Sequence, residues 1–128
     1  MRLLLDTHAF LWWLIDDSRL SRMARETIMS ADNAVYVSAV TGWEVATKHR
    51  LGKLPEADAV IARLPEITVR AGIETLPLEF SHGVRSGNYL NNHGDPFDRM
   101  LAAQAEIEGL TLVTRDPVFR DFPIKVLW

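Results

Sequence analysis

Between positions 95 and 105 the sequence Asp-Pro-Phe-Asp-Arg-Met-Leu-Ala-Ala-Gln-Ala sets two carboxylates three residues apart at the start of an otherwise apolar helical pattern. Asp98, Ala102 and Ala105 recur at spacings of four and three, which places them on one helix face. A carboxylate on that face is unfavourable unless something pairs with it. Asp6, behind the apolar run Leu3–Leu5, Glu44, on a face with Val40, Thr47 and Leu51, and Asp116, behind Leu110–Thr114, pose the same problem. Carboxylates converging on one crevice raise one another's pKa values unless a cation holds them. Magnesium fits best, with manganese as a substitute: the donors are hard oxygens, there is no cysteine, and no two histidines are spaced for zinc. The chemistry such a site supports is phosphodiester hydrolysis, in which the metal acidifies a water and neutralises charge on the leaving oxygen. Asp6, Glu44 and Asp98 are the expected primary ligands, while Asp116 acts through water or holds a second ion. Arg99, Arg115, Lys48 and Lys53 lie near these motifs and can steer a phosphate backbone.

Each acid also has a plainer reading. Asp95-Pro96 and Asp116-Pro117 have the form of a helix N-cap followed by proline, Asp98 occupies the third helical position, and Asp6 can cap the helix that follows it. Glu44 is different, because it lies mid-helix, where no cap is needed. Its alternative is a buried ion pair with Lys48 one turn on, and burial of such a pair is unfavourable. If the carboxylates repel one another, Glu44→Gln leaves the fold intact or stabilises it in metal-free buffer. His8, His49, His82 and His93 each lack a spaced partner, and surface or hydrogen-bonded structural roles are expected for them.

The elements that must carry these acids can be read in order. A short strand over Arg2–Leu5 delivers Asp6 to a helix from about His8 to Ile15, and Ser21 caps a second helix. Ala34–Val37 is a strand, and Ser38 caps a third helix that runs to about Arg50 before Gly52. Pro55 and Pro65 punctuate a helical stretch from about Glu56 to Arg70. Ile73–Leu78 forms a strand, residues 79–87 a short helix, and the polar loop 88–94 leads to the Asp95 helix. Leu110–Thr114 and Lys125–Leu127 supply the last strands. Alternating strands and helices imply an α/β domain with a mostly parallel sheet, whose ligands bind beyond the carboxyl ends of its strands.

The totals agree with one such domain. The chain has 128 residues, 48% of them hydrophobic and 24% charged, which is ordinary for a single globular core. A net charge of −3 excludes the strongly basic footprint of metal-free nucleic-acid binding. Without cysteine there are no disulfides and no thiolate chemistry. The longest apolar block, Ala9–Ile15, is too short to span a bilayer, and Asp6 and His8 interrupt any signal-peptide pattern, so a soluble cytoplasmic protein is expected.

The whole chain resembles the PIN-domain family, in particular its short VapC-type ribonuclease toxins from toxin–antitoxin operons. The matching blocks are Leu4-Leu5-Asp6-Thr7-His8, Val37-Ser38-Ala39 with Trp43-Glu44-Val45-Ala46 and Lys48, His93-Gly94-Asp95-Pro96-Phe97-Asp98-Arg99, and Thr111-Leu112-Val113-Thr114-Arg115-Asp116. The resemblance implies a three-layer α/β/α domain and a magnesium-dependent endoribonuclease acting on transfer, ribosomal or messenger RNA. It carries the family's acids onto Asp6, Glu44, Asp98 and Asp116, and its hydroxyl position just before the last acid onto Thr114. Thr114, Arg99 and Arg115 are the implied substrate contacts. Asp95 is an extra acid of this subgroup and ranks below Asp98. A homodimer and a cognate antitoxin, which inserts a helix or an arginine beside the first helices, are the implied partners. The run Phe10-Leu11-Trp12-Trp13-Leu14 either offers apolar surface for that antitoxin or places one tryptophan in the core and the other as a half-buried cover. The rival reading is a catalytically silent module that captures RNA or protein and uses its acids only as caps. A haloacid-type phosphatase is disfavoured, because His8 stands where its second acid belongs.

Overall fold

The computed structural model describes residues 1–128. Five strands, β1 (Arg2–Leu5), β2 (Ala34–Ser38), β3 (Glu74–Leu76), β4 (Thr111–Val113) and β5 (Lys125–Leu127), form one sheet in the order β3-β2-β1-β4-β5. Every pairing is parallel, so the expected mostly parallel sheet is wholly so. Parallel neighbours need crossovers, and six helices supply them: α1 (Thr7–Leu14), α2 (Arg22–Met29), α3 (Ala39–Arg50), α4 (Leu64–Arg70), α5 (Phe80–Asn88) and α6 (Pro96–Glu108).

Period-two alternation along β1 builds the three layers. Leu3 and Leu5 point to a core shared with Phe10, Trp12, Ala24, Val45 and Leu64 from α1 to α4. Leu4 points the other way, into a core shared with Tyr89, Leu101, Ala102 and Phe119. Both faces of the sheet are thus covered at its middle, which explains why the central strand β1 reads Leu3-Leu4-Leu5 without alternation, whereas the edge strands β3 and β5 are largely exposed. On α6, Ala102 and Ala105 are buried, and Gly109 closes the helix with φ +66°, a left-handed conformation that suits glycine.

Several expectations change. The helix foreseen from Glu56 to Arg70 is broken into two 3-10 turns, Pro55–Ala57 and Ile61–Arg63, before α4, with Pro65 in the first turn of α4. The break falls at Arg63, whose backbone is non-helical, and Pro65 fits the first turn that follows because the N–H it lacks has no partner there. Strand β3 is half the expected length, as befits an edge. On α3 the proposed inward face drifts outward: Val40 and Glu44 are buried, Thr47 is half-buried and Leu51 is exposed. In α1 Phe10, Leu11 and Trp12 are core and Trp13 is a half-buried cover, so that run presents little free apolar surface. No helix is long and apolar enough to cross a membrane.

Candidate active site

β1 and β4 lie side by side in the middle of the sheet, and the chain leaves their carboxyl ends in different directions. Such a switch point opens a crevice, and acids placed just beyond the two strands fall into it. Asp6 follows β1; its N–H donates to the Val113 carbonyl at 3.1 Å, and its Oδ1 accepts from the Ala9 N–H at 2.8 Å as the cap of α1. Asp116 follows β4 and caps the 3-10 turn Pro117–Asp121 by accepting from the Val118 N–H at 3.0 Å. Glu44 enters from α3, while Asp95 and Asp98 enter from the first turn of α6. All five carboxylates line one cleft of about 450 Å³.

Two of these acids, Asp6 and Asp98, have carboxyls shifted upward by burial. Burial pushes the Asp6 carboxyl above the usual range, with hydrogen bonds from Thr114 and Ala9 working against the rise. Burial likewise pushes Asp98 up to about 6, opposed by the His93 hydrogen bond and reinforced by the nearby Asp95. His93 Nε2 lies 2.8 Å from Asp98 Oδ2. Glu44 accepts from the Thr7 hydroxyl at 2.5 Å and pairs with the Lys48 ammonium. Partial burial works against the charge on Lys48, yet Glu44 beside it, with Asp95 and Asp98 beyond, raises its pKa above the usual lysine range. The ion pair considered for Glu44 therefore exists, and it sits inside the cleft rather than apart from it.

A donor set of carboxylate oxygens without thiolates fits a hard divalent cation. As the side chains stand, no three acids or histidines close on one point as metal ligands do. Lys48 holds Glu44 to one side, and His93 does the same for Asp98.

The remaining expected site residues divide. Arg115 lines the cleft, as does Lys48. Arg99 does not: its guanidinium donates to the carbonyls of Ser86, Tyr89, Asn91 and His93, and so ties down the polar loop. Its expected role against a phosphate backbone is therefore corrected to a loop clasp, because its donors are already engaged. Lys53 is exposed and lies outside the cleft lining. Thr114 is buried, accepts from the Asp116 N–H at 3.0 Å and hydrogen bonds Asp6, so it positions the two acids from beneath. The sequence reading missed Thr7, Trp12, Arg19 and Trp128 as cleft residues. Thr7 was findable, since a hydroxyl directly after the β1 acid must sit at the same strand end.

A family model described as the PIN domain matches residues 3–125. Ribonuclease VapC22 of Mycobacterium tuberculosis is 30% identical over 124 residues, an alignment covering 88% of this chain and 85% of that protein. Among solved structures, the fold is similar to VapBC2 from Rickettsia felis bound to a promoter DNA fragment, with a TM-score of 0.72 and 16% identity over 99% of this chain and 98% of that one. It is also similar to VapBC-1 from nontypeable Haemophilus influenzae, with a TM-score of 0.70 and 16% identity over 99% of this chain and 97% of that one. An acid-lined crevice at the middle of a wholly parallel sheet, a family model spanning nearly the full length and a relative aligned over most of its own chain agree: this protein belongs to the PIN-domain family and sits with the VapC proteins within it.

Proposed function

We propose that this chain is a magnesium-dependent endoribonuclease, with manganese able to substitute, and the toxin of a toxin–antitoxin pair that blocks translation by cutting RNA. The observation that carries the reading is the gathering of Asp6, Glu44, Asp95, Asp98 and Asp116 in one cleft, where burial pushes two of these carboxyls upward. Groups shifted by burial and by one another inside a cleft are the usual mark of a reactive centre. The names of the VapC relatives support ribonuclease chemistry.

Asp6, Glu44 and Asp98 are the residues that would hold the metal, with Asp116 at the more exposed rim. When bound, a divalent ion supplies positive charge to a phosphate oxygen and lowers the pKa of a water. Thr114 fixes Asp6 against Asp116, Thr7 orients Glu44, and His93 orients Asp98. Lys48 adds a positive charge inside the acid-lined cleft. Asp95 keeps α6 in register as its cap, accepting from the Phe97 N–H at 2.8 Å.

The decisive experiment compares RNA cleavage by the isolated protein in magnesium, in chelator, and for Asp98→Asn. Cleavage that requires the metal and falls by orders of magnitude in the variant supports the reading; metal-independent cutting overturns it. The alternative, a silent RNA- or protein-binding module of the same fold, draws on the capping roles of Asp6, Asp95 and Asp116 and on the Glu44–Lys48 pair. RNA binding without cleavage under every metal condition would favour it.

Two partners complete the proposal. An antitoxin is supported by the VapBC complexes among the structural neighbours. A second copy of the chain is supported by the family resemblance and by exposed apolar residues on and after α5: Phe80 is 90% exposed and Leu90 is 99% exposed. Sedimentation of the wild type beside Phe80→Asp tests the dimer.

A further inference from the structure

We propose that the part of the cleft built from Trp12, Arg19 and Arg115 binds a phosphate of the RNA strand other than the one being cut. The inference rests on the nuclease reading above and adds a second anchoring point to it.

Hydrogen-bond donors without an acceptor gather on this wall. Trp12 is 2% exposed, lines the cleft, and keeps its indole N–H buried without a partner. Buried donors in native proteins are nearly always paired, so an orphan beside a cleft points to something that binds there. Two guanidinium groups lie against this ring, Arg19 at 4.9 Å and Arg115 at 4.5 Å from its centroid. Asp17 engages Arg19 through Nε at 3.0 Å and Nη2 at 2.8 Å, which fixes the group and leaves Nη1 free. Arg115 has neither a hydrogen bond nor an ion pair to any side chain, and it lines the same cleft.

The unpaired groups here are mainly donors, namely the Trp12 indole N–H, Arg19 Nη1 and the Arg115 guanidinium, with the His8 ring packed on Trp12 at 5.2 Å between centroids. Such a set favours an oxyanion with several acceptor oxygens, which planar guanidinium groups recognise well. The patch is not simply positive, because Asp17 and Glu56 act on Arg19, and Asp17 also acts on Arg115. Its selectivity therefore comes from fixed donor geometry rather than from net charge.

Position chooses RNA phosphate over other oxyanions. Trp12 lies on the helix that Asp6 caps, and Arg115 adjoins Asp116 in sequence, so this wall is continuous with the acids. A strand whose scissile phosphate sits among the carboxylates extends onto it with a neighbouring phosphate. In a chain of net charge −3, such a contact also supplies attraction for RNA that the acids oppose.

The test measures binding of a short, end-labelled single-stranded RNA by anisotropy in chelator, where cleavage is silent, across a salt series. Arg115→Ala and Arg19→Ala each weaken binding about tenfold and each reduce the salt slope by about 1. Arg115→Lys keeps the slope, and Trp12→Phe, which retains the ring but lacks the N–H, gives a smaller loss. Both arginines are exposed at the surface, and thermal melts confirm that the variants are folded. Unchanged affinity and slope in both alanine variants overturn the proposal. Unchanged RNA binding with weakened binding of a poly-glutamate peptide also overturns it and reassigns the wall to an acidic protein partner. Arginine-dependent RNA binding in a protein that cuts no RNA keeps the phosphate site and removes the nuclease reading, whereas normal cutting with arginine-independent binding does the reverse.

Discussion

Helix α6 carries two acids in contrasting surroundings. Near its C-terminal end, Glu106 accepts from Arg85 Nε at 2.8 Å and Nη2 at 3.0 Å and from the Tyr89 hydroxyl at 2.5 Å, and the guanidinium beside it holds its carboxyl below the usual range. At the N-terminal end, Asp98 has His93 to set against burial and the neighbouring Asp95 and Glu44, and its carboxyl rises to about 6. The α5–α6 seam continues the first pattern: His82 is buried, accepts from the Glu79 N–H through Nδ1 and meets Glu108 through Nε2 at 2.9 Å. The contrast separates a charged cluster complete in itself from one that is not. Ion pairs alone mark neither region as functional; what distinguishes the cleft is negative charge that its own cations do not balance.

Substitutions at the two ends of α6 test that distinction most sharply through activity. Asp98→Asn lowers metal-dependent RNA cleavage by orders of magnitude, while Glu106→Gln leaves its rate close to that of the wild type; equal losses in a cleavage assay would erase the contrast. Stability moves the other way. A carboxyl raised above its ordinary value of 3.8 stabilises the fold below that pH and loses the contribution as pH rises through about 6. Ionised Asp98 therefore weakens the metal-free protein at neutral pH, and Asp98→Asn is more stable there by about 1–3 kcal/mol. In urea titrations that gain shrinks as the pH is lowered and vanishes below about 4.

A smaller effect concerns Glu44, for which repulsion among the acids suggested that Glu44→Gln would be neutral or stabilising. The contacts of Glu44 argue for the opposite sign, because the variant loses the Lys48 ion pair while keeping an acceptor for Thr7. A loss of about 1 kcal/mol in metal-free buffer is expected by chemical denaturation; a gain would show that repulsion outweighs the pair. Smallest of all, Glu106→Gln melts slightly earlier than the wild type at low salt, and the difference narrows at high salt because its partners are partly exposed.

Much of the frame was legible because it rests on local chemistry. Ser21, Ser38 and Asp95 were readable as caps and do cap α2, α3 and α6. The strand-end positions of Asp6 and Asp116 followed from apolar runs that end at, or shortly before, an acid. What could not be read depends on how distant segments meet. Whether Arg99 faces a cleft or four loop carbonyls is decided by the path of residues 86–93, which no spacing encodes. Arg19 becomes a cleft residue only because α1 brings Trp12 beneath it. The stretch between Pro55 and Pro65 failed for a different reason: proline marks a helix boundary but does not say on which side the helix lies.

The order of strands in the sheet also has a bearing on how the protein is born. β1 is made before the other four strands of the sheet and is the central one, and Leu5 pairs with Val113, a partner made far later in the chain. Contacts so distant in sequence form late and slowly. Until translation has passed β4, Asp6 has no Asp116 to meet and the crevice has only one bank, so the growing polypeptide carries its acids unassembled on the ribosome.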